Sequence, residues 1–369
     1  MQESLIGIGK SPRVWGLDIG GANIKICLSD GHSMSLPFPM WLRYQQLAES
    51  IQNLIQQTGT GWIDGDWAAV TMTGELADCF RSRSQGVRYI LDQLSNVFPP
   101  QQCRVYAVGG TWLTIKQAAN VPWDVAASNW HALAKWCLAQ HPWGSLDWHA
   151  VIDIGSTTVD ILPTAQGQLL TQAKTDRQRM QLGQLVYTGM QRTPVAAVVQ
   201  SLLVTGCRCP VMAERFATMD DVNLVLQASY DMPDDCDSAD GRPRTRQFAM
   251  ERLARMVGED LETLGPVEIE SMASQIALAQ TQQINAALLR NLVHAQWTDD
   301  DQSGQSVAKV LVSGHGRPLI ERLKRLQSEN AGQRVEFIYL DQFLPPETVR
   351  CAPALAVAML AQESLRTSQ

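Results

Sequence analysis

The chain has 369 residues, 45% of them hydrophobic and 18% charged, with a formal net charge of −7. That length exceeds what one hydrophobic core usually supports, so two lobes are expected, and the acidic balance excludes a broad nucleic-acid surface. No apolar run is long enough to cross a bilayer and no basic, apolar leader opens the sequence, so a cytoplasmic protein with reduced thiols is expected.

From Val14 the chain reads as an apolar strand that delivers Asp18, turns on Gly20-Gly21-Ala22-Asn23, and resumes with Ile24, Ile26 and Leu28 alternating. This is a β-hairpin pattern. Glycine lets backbone N–H groups approach phosphate oxygens, and a neighbouring aspartate can hold the Mg²⁺ that accompanies them. Lys25 lies two residues past Asn23, on the same side of the strand, where it can neutralise an anion or simply face solvent. Leu47, Ile51, Leu54 and Ile55 recur at helical spacing. A buried strand, Trp67 to Thr73, runs into Gly74-Glu75-Leu76-Ala77-Asp78-Cys79-Phe80. Glu75 and Asp78 stand where strand ends often reach a ligand cleft, although they equally suit the first turn of a short helix. Val87 to Phe98 predicts a helix stopped by Pro99-Pro100, Arg104 to Val108 a short strand, and Ala126 to Gln140 another helix. Strand and helix alternate, so the class is α/β.

The segment Val151 to Ile161 then repeats the opening: Asp153, a Gly155-Ser156-Thr157-Thr158 turn, and a second strand carrying Asp160. One such turn is commonly an Asx-type cap, but two in matched contexts favour a phosphate and metal role for Asp18 and Asp153. Asp160 reads as an additional acid or a plain strand-end charge. Helices are expected around Leu182–Met190, Pro210–Gln227 and Gln247–Val257, with the polar stretch Asp231–Thr245 as a mobile loop. Arg192 can pair with phosphate or carboxylate, or lie on the surface. A long helix, Glu268–Ala295, precedes a strand, Val307–Val312, that ends in Ser313-Gly314-His315-Gly316. Pro318 opens a further helix, and Ala352–Glu363 predicts a tightly packed terminal one. His131 and His315 are adequately explained by packing and a loop hydrogen bond. Cys207 and Cys209 lack the partners a zinc site needs. The first lobe is expected over 1–125 with a C-terminal helix at about 346–369, and the second over 126–345.

Asp18-Ile19-Gly20-Gly21, Asp153-Ile154-Gly155-Ser156-Thr157-Thr158 and Ser313-Gly314-His315-Gly316 resemble the two phosphate segments and the adenosine segment of the actin, sugar kinase and Hsp70 superfamily. The stretches Thr71–Phe80, Ala127–Ala134, Tyr187–Val195 and Ala213–Met219 resemble its hydantoinase/oxoprolinase-like branch, and within it proteins of tetrahydromethanopterin-linked one-carbon metabolism. Arg81-Ser82-Arg83 departs from that branch, where a lysine is more usual. The resemblance implies a two-lobed, ribonuclease H-like fold with a central interlobe cleft. It also implies a methanofuran-biosynthesis transferase that condenses an aminomethylfuran-methyl diphosphate with a tyramine- or tyrosine-type phenol, releasing diphosphate. Asp18, Lys25, Glu75, Asp78 and Asp153 would then be catalytic, with Asp18 and Asp153 on Mg²⁺. Gly20, Gly21, Ala22, Asn23, Gly155, Ser156, Thr157 and Thr158 would hold the diphosphate, joined by Gly314 and Gly316. The partners are small molecules, with neither nucleic acid nor membrane among them. Ser313 to Gly316 keeps ATP as an alternative ligand, for a small-molecule kinase or an oxoprolinase-like hydrolase. A non-catalytic actin-like module is the second alternative.

Overall fold

Two apolar runs on either side of the glycine turn produce the expected hairpin: β1 (Val14–Ile19), buried throughout, pairs antiparallel with β2 (Asn23–Leu28). The computed structural model describes residues 12–139, 148–295, 307–329 and 335–367. β3 (Ser33–Pro37), β4 (Trp67–Met72), β5 (Cys103–Tyr106) and β6 (Trp112–Leu113) complete a six-stranded sheet of order β3-β2-β1-β4-β5-β6. β4 lies parallel to β1, as a crossover connection requires. The helix Leu47–Gln57 buries Leu47, Ile51, Leu54 and Ile55, and the helix Arg83–Ser95 buries Val87, Ile90, Leu91 and Leu94. Ser82 caps the latter by accepting from the Gln85 N–H at 3.2 Å.

The second sheet has the same logic. β7 (Ala150–Ile154) and β8 (Val159–Ala165) form a hairpin, with β9 (Gln168–Leu169) and β10 (Leu185–Val186) both pairing to β8. A separate hairpin follows from β11 (Ser201–Val204) and β12 (Cys207–Pro210). β13 (Ala308–Gly314) and β14 (Val335–Tyr339) finish the order β10-β8-β7-β13-β14, with β13 parallel to β7. The helices Met219–Val225, Arg246–Arg255 and Pro266–His294 enclose a further apolar core around Met219, Leu253 and Ile276.

The chain therefore divides into two units, one of 1–146, 173–176 and 341–369, the other of 147–172 and 177–340. Of the residues expected in the second lobe, the described stretch 126–139 groups with the first. The reason is the helix Asn129–Ala139, which packs against the terminal helix Ala352–Thr367. That terminal helix lies so close to β1 that a Cβ on Gly16 would stand 1.9 Å from the Ala354 carbonyl oxygen. The alanine-rich sequence makes such an approach possible.

Three local expectations are corrected. Leu182–Met190 is not helical: the helix is Asp176–Leu182, and Gly183 at φ +69° ends it before β10 begins. Pro210–Gln227 is helical only over Met219–Val225, because Pro210 belongs to a hairpin strand. Gly74–Phe80 forms turns, so Glu75 and Asp78 are not first-turn helix acids. Asp231–Thr245 is a loop as expected, yet it is fastened by ion pairs. Arg244 binds Asp220 at 2.7 Å and also Asp235, Arg242 binds Asp240 at 2.7 Å, and Arg252 binds Asp221 at 2.7 Å and Asp240 at 3.0 Å. Among the described residues no helix is long and apolar enough to cross a membrane.

Candidate functional site

Each sheet carries one polar row beside a glycine turn. In the first unit, register places Lys25 of β2, Asp18 of β1 and Thr71 of β4 side by side. Residues directly opposite across strands share a face, with Cβ atoms about 5 Å apart. Asp18 is 3% exposed, and Lys25 Nζ lies 3.8 Å from its Oδ2. Thr71 is fully buried and its hydroxyl meets that of Ser128 at 2.8 Å, while the Ser128 hydroxyl donates to the Tyr106 carbonyl at 3.0 Å. The turn closes where the Gly20 N–H donates to the Asn23 carbonyl at 2.9 Å. A Cβ on Gly21 would meet only the Gly74 Cα, at 4.0 Å, so that side of the turn is open.

Glu75 follows directly. Gly74 packs onto the turn, since a Cβ there would stand 2.9 Å from the Gly20 carbonyl oxygen. Glu75 is 1% exposed and its Oε2 has no hydrogen-bond partner, while Oε1 lies 3.6 Å from Arg83 Nε. Burial pushes this carboxyl up to about 7, against the lowering pull of its own amide, Arg83 and the Ala127 amide. Ala127 itself sits at φ +48°, a strained backbone for a residue with a Cβ, which is a feature that clusters at functional sites. Arg83 continues to Asp176 at 2.7 Å and stacks on Trp123 at 5.6 Å. Asp78 is exposed. The structure thus separates the two acids that the sequence paired. His131 is buried and bonded to the Tyr106 hydroxyl at 2.9 Å, and burial lowers it to about 4, consistent with a packing role.

The second unit repeats the first. Asp160 of β8, Asp153 of β7 and Ser313 of β13 share one register row. The Gly155 N–H donates to the Thr158 carbonyl at 2.9 Å, matching the Gly20 turn. The segment after β10 clamps this turn: the Met190 N–H donates to the Gly155 carbonyl at 3.1 Å, and the Gln191 and Arg192 N–H groups donate to the Ser156 carbonyl at 2.9 Å. Arg192 is therefore held at the turn by its backbone, and burial lowers its side chain's affinity for a proton. Asp160 is bonded to Arg179, which is 2% exposed. Ser313 is fully buried and its hydroxyl has no partner. Gly314 and Gly316 have a different explanation from phosphate contact. A Cβ on Gly314 would stand 2.2 Å from the Ile154 carbonyl oxygen, and one on Gly316 2.2 Å from the Ile154 Cγ2. Close packing on β7 already requires both.

The donor set is carboxylate, hydroxyl and amide, which suits a hard cation that keeps waters and phosphate oxygens as ligands. Among the described residues no group of three or more His, Cys, Asp or Glu forms a protein-only metal cage. All eight cysteines are free, and Cys207 and Cys209 lie on the β12 hairpin strand. Sequence reasoning missed Arg179, Asp176 and Trp123. Asp176 and Arg179 stand on the helix Asp176–Leu182 and Trp123 on Pro122–Val125; they meet Arg83 and Asp160 only through the tertiary fold, and no local spacing announces it.

The model of the hydantoinase/oxoprolinase family matches residues 66–363. A curated relative from Methanocaldococcus jannaschii, (4-{4-[2-(gamma-L-glutamylamino)ethyl]phenoxymethyl}furan-2-yl)methanamine synthase, is 29% identical over 357 residues, covering 95% of this chain and 98% of the relative. The synthase of the same name from Methanococcus vannielii is 31% identical over 123 residues, 33% of this chain and 55% of that protein. Among solved structures, the activator of 2-hydroxyisocaproyl-CoA dehydratase from Clostridium difficile aligns with 97% of this chain and 98% of its own at 13% identity, with a TM-score of 0.43.

Proposed function

Because the chain belongs to the hydantoinase/oxoprolinase family, and a furanylmethyl aryl ether synthase matches it almost end to end, we propose that it is a transferase of methanofuran-type carrier biosynthesis. The end-to-end match carries this reading. The product named for the relative contains a phenoxymethyl bond, so the reaction joins a furan-methyl carbon to a phenol oxygen. In this chain the donor is an aminomethylfuran-methyl diphosphate and the acceptor a tyramine- or tyrosine-type phenol. One carbon–oxygen bond to diphosphate breaks, one to the phenol forms, and the phenolic proton passes to a base.

The furan stabilises positive charge on the departing carbon, so stabilising the leaving group is the enzyme's main task. Gly20 to Asn23 and Gly155 to Thr158 supply amide and hydroxyl donors, and Lys25 supplies a positive charge beside the first turn. Asp18 and Asp153 are the carboxylates that would hold Mg²⁺, directly or through water. When bound, Mg²⁺ neutralises charge on the diphosphate. An ordinary phenol has a pKa near about 10, so a carboxyl raised to about 7 is a suitable proton acceptor at neutral pH. Glu75 is assigned that role. The free thiols suit work in the cytoplasm.

The test is direct. Purified protein with the furan diphosphate, a tyramine-type phenol and Mg²⁺ is expected to give the ether by mass spectrometry and an equivalent of diphosphate. Diphosphate release without ether, or neither product, would overturn the reading.

A further inference from the structure

One helix meets Glu75 at both its backbone and its carboxyl. Gly86 of the helix Arg83–Ser95 lies against the Glu75 backbone, where a Cβ would stand 2.0 Å from the Glu75 carbonyl oxygen. Arg83, three residues earlier and so on the same helix face, brings Nε to 3.6 Å from Glu75 Oε1. That separation is beyond hydrogen-bond range, so the guanidinium acts on the carboxyl through charge alone. Its hydrogen bond goes elsewhere: Arg83 Nη2 donates to Asp176 Oδ2 at 2.7 Å. The guanidinium also lies over the Trp123 ring at 5.6 Å, and its side chain is only 11% exposed. Glu75, Arg83, Trp123 and Asp176 all belong to one structural unit. The carboxyl is left asymmetric, with Oε1 on the Arg83 side and Oε2 enclosed without a hydrogen-bond partner.

We infer that Arg83 and Asp176 are positioning residues for Glu75: Asp176 anchors the guanidinium, the anchored guanidinium fixes Oε1, and the bare Oε2 receives the phenolic proton. This rests on the proposed function. In that step the phenol O–H bond breaks, an O–H bond forms at Oε2, and the phenol oxygen bonds the furan-methyl carbon as diphosphate departs with its electron pair. Two opposing demands meet at Arg83. An opposite charge within about 4–6 Å lowers a carboxyl by about 1–3 pH units, which would make Glu75 a poor base. With no cation nearby, burial would keep the carboxyl protonated well past neutral pH. Asp176 sets the balance between them, because it takes the direct bond and its negative charge offsets Arg83 at Glu75. The other groups facing the carboxyl are the N–H groups of Glu75 and Ala127, which favour its charged form. A planar guanidinium can address two carboxylates in this way, and the point charge of an ammonium cannot hold the same geometry.

The experiment follows ether formation by the full-length protein with the furan diphosphate, a tyramine-type phenol and Mg²⁺, from about pH 5 to about pH 9. Arg83→Met is expected to move the acidic limb of kcat up by about one pH unit or more. Asp176→Asn frees the guanidinium for Glu75 and should move the limb down by a similar amount. Arg83→Lys, which keeps the charge, should move it less than Arg83→Met. A merely structural role would scale the rate equally at every pH. That result, or shifts of the same sign in Arg83→Met and Asp176→Asn, would overturn the assignment. A second readout needs no activity: the melting-temperature gap at about pH 8 between each protein and the same protein carrying Glu75→Gln. The gap should widen for Arg83→Met and narrow for Asp176→Asn, and an equal gap in wild type and both variants would overturn the assignment. Should Arg83→Met fold poorly, Asp176→Asn reads the same balance at a side chain that is 25% exposed. A wild type that makes no ether would overturn the proposed function, and the gap would still decide whether Arg83 and Asp176 govern Glu75.

Discussion

Burial is the largest influence on the Glu75 carboxyl, and it works against the charged form, leaving the group at about 7 where an ordinary glutamate titrates near 4.5. Between those two values the folded protein holds a proton that the unfolded chain has released. Its stabilising effect is complete below about pH 4.5 and is lost as pH rises through 7, on the order of 3 kcal/mol at most. Glu75→Gln removes the titration, so its melting temperature should exceed that of the wild type at pH 8 and converge with it near pH 5. If Glu75 accepts the phenolic proton, the wild-type rate should rise through pH 7 and the glutamine variant should lose about a hundredfold or more. Equal melting curves at both pH values would argue against the shift, and an unchanged rate would remove Glu75 from the chemistry. At this scale Asp18, Lys25, Asp153 and Ser313 stand in segments legible in the sequence, because hairpin and strand patterns place them beside glycine turns. Asp176, Arg179 and Trp123 were illegible, since only the folded chain brings them near.

Elements decide how each turn is held. A Cβ on Gly189 would stand 2.7 Å from atoms of Gly155, Ser156 and Thr157, so this glycine lets the segment after β10 lie on the second turn. Gly189→Ala should cost about 1–3 kcal/mol by overpacking and lower the melting temperature measurably. Gly21→Ala is the contrasting case. Its Cβ would enter open space, so stability should hold while diphosphate affinity falls about tenfold in calorimetry. Stability lost at Gly21, or retained at Gly189, would show that the turns are held in another way. The two hairpins around the glycine turns were readable from their apolar runs and turn residues, whereas β11–β12, whose Pro210 was expected in a helix, was not. The end of the helix Asp176–Leu182 was not, because the apolar residues beyond Gly183 serve a strand and offer the same hydrophobicity a helix would.

For the whole molecule, the repeat of sheet order and polar rows is the main architectural result, and the alternation of strand and helix made the α/β class legible from sequence. The division between the units was not. The helix Asn129–Ala139 follows the first sheet because Ala352–Thr367 packs on it from the far end of the chain, a pairing that local patterns cannot express. A ligand that binds only the folded state stabilises it by about 2.7 kcal/mol at a hundred times its dissociation constant. Mg²⁺ with diphosphate should therefore raise the melting temperature by several degrees, and a chelator should abolish the increase. No shift at millimolar concentrations of both would remove diphosphate from the account.

The loop Asp231–Thr245 is fastened through charges more than through apolar burial, with Arg244 reaching Asp220 and Asp235 and Arg242 reaching Asp240 and Glu251. Several of these partners are a quarter to a third exposed. Such a fastening is sensitive to ionic strength, since the screening length falls from about 10 Å at 0.1 M salt to about 3 Å at 1 M. Concentrated salt should loosen this loop before it disturbs either sheet. Trypsin, which must capture Arg244 to cut before Thr245, would then act there faster as salt rises, and the bulk of the chain would stay resistant.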